Sequence, residues 1–262
     1  MHTNKILRSG SQILLAACLL SVAACGGGGG GDGASSVAAA DTGGTHIDGK
    51  VSAQFVAGSQ ARYVAATATS FSYGALNTQQ EADGTFHSIG RYSVGTGVRF
   101  ADIAGDESYA MGTWKGGNYV ESADASKVYS NWAFYYAVYN QAMSLPANAT
   151  LVCTPHLSST QSGNQAGHVS GSATLSVTNA VAQASVSLSL TPANGPAVPL
   201  AQSATFQDGN FGMSIGNMLS SGSGAALALG EAGGGRFVLV APWKAVAFNG
   251  VAYAGIATFT CE

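Results

Sequence analysis

Apolar and polar residues alternate with a period of two over long stretches of the C-terminal half. Gly171, Ala173, Leu175 and Val177 interleave with Ser172, Thr174, Ser176 and Thr178, and Ala184, Val186, Leu188 and Leu190 interleave with Ser185, Ser187 and Ser189. A strand turns successive side chains to opposite faces, so this spacing predicts half-buried antiparallel strands. Asn179 stands between the two runs and predicts a hairpin. The last segment alternates as well, with Val251, Tyr253, Ala257 and Phe259 set against Ala252, Ala254, Thr258 and Thr260. Further strands are expected at Tyr109–Lys115, Ala149–Thr154, Phe211–Ile215 and Arg236–Ala241, between turn clusters such as Asp208-Gly209-Asn210 and Phe248-Asn249-Gly250. Ser214–Glu231 is the one candidate helix. Strands this numerous without a helical layer must stack as a sandwich or close as a barrel. The expected fold class is all-β: an antiparallel barrel of about eight strands at about residues 109–262. Residues 48–108 are read as an extra N-terminal strand region packed onto it.

Composition narrows the classes. The chain has 262 residues, 46% hydrophobic and 9% charged, with 36 glycines. Mean hydropathy of +0.18 is too apolar for wholesale disorder, and the glycines lack the every-third spacing of collagen. A net charge of −3 argues against nucleic acid as a partner, since phosphates demand a basic face. Scarce Glu, Lys and Leu argue against long helices and coiled coils.

The N-terminus reads as an address. Lys5 and Arg8 precede an apolar stretch, Ile13 to Ala24, that is shorter than the ~20 residues a spanning helix needs and suits a secretory h-region. Its end, Leu20-Ser21-Val22-Ala23-Ala24-Cys25, resembles the lipobox of bacterial lipoproteins. The resemblance implies cleavage before Cys25, acylation of its sulfur and stable membrane anchoring through several acyl chains. An ordinary signal peptide cleaved after Ala23-Ala24 is the alternative. Gly26 stands where an inner-membrane lipoprotein commonly has aspartate, so the resemblance implies the outer membrane, on its surface or its periplasmic face. The glycine run Gly26–Gly31 is read as a tether, because no strand precedes it and no Gly-Lys-Ser/Thr follows. The expected organisation is a signal peptide at 1–24, a tether at 25–47 and a β-rich domain at 48–262.

Processing at that point removes Lys5 and Arg8 from ten basic residues and none of the thirteen acidic ones, leaving a mildly acidic domain. Cys18 leaves with the leader and Cys25 takes the lipid. Cys153 and Cys261 then remain in an oxidising compartment, which makes a disulfide the default. Metal ligation by this pair is the weaker reading, since neither has a partner at metal-site spacing.

Candidate chemistry is sparse. His46, His87, His156 and His168 show no i, i+2 or i+4 pairing, and no metal or cofactor is expected. His156 and His168 flank one Ser/Gln/Gly-rich loop and read as surface histidines. No Gly-x-Ser-x-Gly elbow occurs, and a Ser/His/Asp set has no local sign. Asp106 and Glu107 read as a solvated turn. An enzyme is therefore not expected, and an unrecognised hydrolase ranks third among the functions. The aromatics leave two readings open. Trp132, Phe134, Tyr136 and Val138 oppose Ala133, Tyr135, Ala137 and Tyr139. One reading is barrel core plus an exposed face. The other is an aromatic binding surface at Tyr135, Tyr139 and Trp114 for a protein or flat ligand.

The segment order has a family likeness. Tyr109-Ala110-Met111-Gly112-Thr113-Trp114-Lys115-Gly116-Gly117, then Leu145-Pro146-Ala147-Asn148-Ala149-Thr150, then the hairpin from Gly167 to Leu190, resembles transferrin-binding-protein-like surface lipoproteins. Their poly-glycine tether is matched too. The resemblance spans roughly residues 85–262 and implies an eight-stranded antiparallel barrel displayed by a lipoprotein pathway. Gly235-Arg236-Phe237-Val238 and Tyr253-Ala254-Gly255 depart from the family's closing stretch, so no ligand identity transfers. The leading expectation is a non-catalytic lipoprotein that binds or displays a protein or small molecule. A structural or accessory envelope lipoprotein is second. A membrane-spanning barrel is disfavoured, because the strands carry Ser and Thr on one face and no aromatic girdles.

Overall fold

Every regular element among the described residues of the computed structural model, 47–130, 132–162, 165–215 and 223–262, is a β-strand. The expected leader, Cys25, His46 and nearly all of the tether lie outside the described residues. The N-terminal part begins with β1 (Ile47–Gly49), β2 (Ala61–Ala66) and β3 (Phe71–Ala75), then β4 (Ser88–Ile89) and β5 (Tyr92–Val94). It continues with β6 (Arg99–Asp106), β7 (Tyr109–Lys115), β8 (Asn118–Glu121), β9 (Asp124–Ser130) and β10 (Phe134–Asn140). These build a six-stranded sheet, ordered β1-β6-β7-β10-β2-β3, and a four-stranded sheet, ordered β4-β5-β8-β9. The pairing of β1 with β6 is parallel.

The barrel comes later in the chain than the alternation predicts. Its strands are β11 (Asn148–Leu157), β13 (Gln165–Thr178), β14 (Val181–Pro192), β15 (Val198–Gln207), β17 (Gly224–Gly233), β18 (Arg236–Val246) and β19 (Ala252–Cys261). They form a nearly closed antiparallel wall of seven strands, β15-β14-β13-β11-β19-β18-β17. Short β12 (Thr160–Ser162) pairs with β13, and β16 (Ser214–Ile215) with β17. β7 and β10, expected in the barrel wall, lie in the six-stranded sheet instead. Their aromatic residues on both faces need a layer on each side, which a barrel wall facing solvent cannot supply.

Three layers explain the pattern. Inside the barrel, Leu175, Leu188, Phe206, Leu239, Trp243 and Phe259 form one buried cluster. On the barrel's outer face, Ala228, Val238, Val240, Ala254 and Ile256 pack against Val64, Met111, Tyr135 and Tyr139 of the six-stranded sheet. The other face of that sheet carries Tyr63, Trp114, Phe134 and Tyr136, covered by Phe86, Ile89, Tyr92 and Tyr119. β10 alternates strictly between these last two clusters, so a period of two persists with no polar face.

The same logic corrects the candidate helix. Among the described residues of Ser214–Glu231, Ser214–Ile215 and Gly224–Glu231 are extended. Leu227 and Leu229 point into the barrel while Ala228 points at the sheet, so both faces are apolar and the alternation is hidden. The chain leaving β10 ties the two bodies together: Ala142 N–H donates to the Leu229 carbonyl at 3.1 Å.

Close approaches fix where glycine stands. A Cβ on Gly112 would lie 2.4 Å from the Tyr136 hydroxyl oxygen, and one on Gly255 would lie 2.4 Å from the Trp243 ring. Each absent side chain is the space an aromatic ring uses.

Candidate functional site

The aromatic surface expected from the sequence is interior. Trp114 is 0% exposed, Tyr135 1% and Tyr139 3%. They do not converge, since Trp114 faces the four-stranded sheet while Tyr135 and Tyr139 face the barrel. Tyr135 OH accepts from Gln161 N–H at 3.3 Å, and burial pushes its hydroxyl up to about 12. Trp132, which alternates with Phe134, Tyr136 and Val138 in the sequence, does not share their burial and is 40% exposed. Cys153 and Cys261 pair directly across β11 and β19 and are joined as a disulfide.

A concave feature lies at one end of the barrel, in the seam with the six-stranded sheet. Two adjoining cavities of about 320 and 560 Å3 share Asp106, Ser108, Ala232 and Arg236. Two turns and the chain end build them. The β6–β7 turn is closed by Asp106, whose carboxylate accepts from Ser108 N–H at 2.8 Å and Ser108 Oγ at 2.6 Å. The β17–β18 turn runs through Gly233, Gly234 and Gly235 at φ of 73°, 62° and 80°, left-handed geometry that favours glycine. That turn presents Arg236, which donates to the Ala232 carbonyl at 3.1 Å. Lys50 enters from the end of β1, held by Ser52 Oγ donating to the Gly105 carbonyl at 3.0 Å.

The charges around this groove are mixed. Asp106, Glu107, Glu231 and Glu262 line it together with Lys50 and Arg236. Among the described residues, the ion pairs are formed by Arg91, Lys115 and Lys127, none of which lines the groove. His156 lies beside Tyr109, ring centroids 5.7 Å apart. Burial, opposed by the Asp106 carboxylate, holds its imidazole below the usual histidine value, and burial pushes the Tyr109 hydroxyl up.

The groove brings a serine, a histidine and an aspartate together, which no spacing in the chain announces. The wiring is not that of a nucleophile. Ser108 Oγ donates straight to Asp106, Ser108 is 8% exposed, and His156 does not stand between them. In a triad the imidazole accepts the serine proton and the acid orients the imidazole. Here the serine and acid close a turn. The groove's lining offers charged groups of both signs and hydrogen-bonding side chains.

A second polar cluster is a tie between layers. Asp102, at φ 56° on a bulge of β6, accepts from Thr113 Oγ1 at 2.7 Å and Ser159 Oγ at 2.9 Å. Lys115 lies 3.5 Å from the same carboxylate and donates to Ser159. The described histidines are dispersed: His87 stacks on Phe100, His156 lines the groove and His168 is exposed on β13. Among the described residues no three His, Cys, Asp or Glu side chains are grouped to hold a metal ion. Comparison with protein-family models, curated proteins and solved structures finds no match.

Sequence reasoning passed over Lys50, Ser108, Arg236 and Glu262. The glycine triplet before Arg236 was the available signal, because three consecutive left-handed residues mark a tight turn that projects its successor.

Proposed function

We propose that this chain is an outer-membrane lipoprotein, anchored through Cys25, whose β domain binds a small polar ligand or a protein segment without catalysis. The observation that carries the binding half is the seam groove, where Lys50 and Arg236, which form no ion pair among the described residues, stand beside four carboxylates. Such a set suits a ligand carrying both charges, because each ligand charge finds a group of opposite sign. The lipobox-like Leu20–Cys25 supports the anchor, and the Cys153–Cys261 disulfide fits an oxidising compartment. The likeness to transferrin-binding-protein-like lipoproteins stays part of the proposal on its segment order alone.

Metabolic labelling with an alkynyl palmitate tests the anchor: label is expected on the parent chain and absent from Cys25→Ser. An unlabelled parent chain overturns it. For the groove, thermal shifts with a panel of amino acids and short zwitterionic peptides are expected to find a stabiliser. Arg236→Ala is expected to remove that shift while leaving the unliganded midpoint unchanged. A panel without effect, with no protein captured from culture or host extract, favours the accessory reading.

A further inference from the structure

At the end of the barrel away from the groove, the β18–β19 turn projects a bare phenylalanine. Phe248 is 92% exposed, and Val246 beside it is 42% exposed. The turn holding it is well bonded. Ala247 N–H donates to the Val251 carbonyl at 2.8 Å, Gly250 N–H to the Ala247 carbonyl at 2.9 Å, and Val251 N–H to Asn249 Oδ1 at 3.0 Å. Ala247 anchors the tip in the barrel core at 4% exposure. A large apolar side chain is thus held out into solvent on a fixed support. Lone exposed hydrophobics are common and mean little by themselves.

Where the N-terminal chain enters gives this one an occupant. β1 begins at Ile47, opposite Phe100, and Asp48 shares a cavity with Arg99, Lys115 and Gln161. Gln161 pairs with Ala166 of β13, and Tyr253, two residues beyond the β18–β19 turn, bonds to Gln165. β1 therefore starts at the Phe248 end of the barrel and runs toward the groove, where Lys50 lies. Lys244 and Arg99 lie at that end together with Asp48 and the Lys115–Asp102 pair. Lys244 sits two residues before Val246, its ammonium 5.9 Å from the Phe71 ring, and Arg99 is exposed. The carboxylates of the groove gather at the opposite end.

We propose that the Phe248 hairpin tip is a membrane-docking wedge, seated in a phospholipid surface with Lys244 and Arg99 facing the headgroups. The inference rests on the lipid-anchor reading for what brings the domain to the bilayer. Cys25 stands 22 positions before Ile47 (47 − 25), so an anchor there keeps the domain near the bilayer. A domain so held meets the surface repeatedly, and a contact too weak to recruit it alone can still orient it. Docking through this tip turns the groove away from the membrane.

The test supplies the anchor chemically, so it does not depend on lipidation in the cell. All three hydrophobic clusters lie within the compact unit Thr42–Glu262, so the chain from Cys25 onward retains every one of them. That chain is coupled through Cys25 to a maleimide lipid in phosphatidylethanolamine–phosphatidylglycerol vesicles, with the Cys153–Cys261 disulfide left oxidised. In Phe248→Trp the added indole emission is expected to shift to the blue and to be quenched by brominated lipid, with no such change in the parent. Phe248→Ser is expected to return hydrogen exchange at Ala247–Val251 on vesicles to its rate in solution. Its thermal midpoint is expected to stay unchanged, because Phe248 touches no core. An unquenched, unshifted indole overturns the proposal, as does vesicle protection that survives in Phe248→Ser. Conversion by Phe248→Ser of a sedimenting dimer into a monomer also overturns it, since a second copy then covers the tip. Absence of palmitate label on Cys25 in cells, with quenching retained here, overturns only the anchor.

Discussion

Trp114 and Phe134 stack face to face across neighbouring strands, ring centroids 4.4 Å apart and planes 15° apart. They are register partners of β7 and β10, and Trp114 Nε1–H donates to the Phe86 carbonyl at 2.9 Å. One indole thus joins the six-stranded sheet to the segment that covers it. Trp114→Ala is expected to cost about 3–5 kcal/mol, read as a shift in denaturant midpoint. Trp114→Phe keeps the stack and leaves the Phe86 carbonyl without its donor, so a smaller loss of about 1–2 kcal/mol is expected. A surface role would give neither loss.

The Cys153–Cys261 disulfide joins the first and last strands of the barrel, at residues directly opposite in register and 108 positions apart. It therefore locks the one wall junction whose strands are most distant in sequence. In the chain-entropy description, closure of so long a loop is worth about 4–5 kcal/mol. Cys153→Ala with Cys261→Ala is expected to lower unfolding free energy by that order. Reduction of the parent chain in denaturant should give the same midpoint as the double variant.

How far the sequence could be read depends on what covers each strand face. β13 and β14 alternate Ser or Thr against Leu, Val or Ala because one face meets solvent, and the hairpin through Asn179 was legible for that reason. β17 and β10 lie between two apolar layers, so no polar residue marks either face. Periodicity then offers no way to assign Tyr135 and Tyr139 to the sheet–barrel seam, and Ala225–Leu229 reads equally as helix. The groove was not legible at all. Asp106, Arg236 and Glu262 come from a turn, a second turn and the chain end, brought together only by the packing of sheet on barrel.

The β13–β14 turn carries a strain the sequence could remove. Asn179 and Ala180 both adopt left-handed backbone, at φ 51° and 58°. A two-residue hairpin of this hand matches the twist of its strands and asks for Asn-Gly. Asn179 meets the requirement, but the Cβ of Ala180 crowds its own backbone there. Ala180→Gly is expected to stabilise the protein by about 0.5–1 kcal/mol after the added freedom of the unfolded chain is subtracted. Thermal unfolding checks the sign, and Ala180→Val, β-branched at a left-handed position, should move the midpoint the other way.

His156 makes stability depend on pH in a defined direction. It is half-buried beside Tyr109, and burial holds its imidazole below the usual value of 6.5 despite the attraction of Asp106. Above 6.5 the imidazole is neutral in both folded and unfolded chains, and its contribution to stability is fully present. As pH falls through that value the unfolded chain takes up its proton first. Stability then declines until the folded histidine is also charged. The thermal midpoint is therefore expected to drop between neutral and mildly acidic pH. His156→Gln should show a shallower drop. Equal slopes for the two chains would show that the buried imidazole carries none of the dependence.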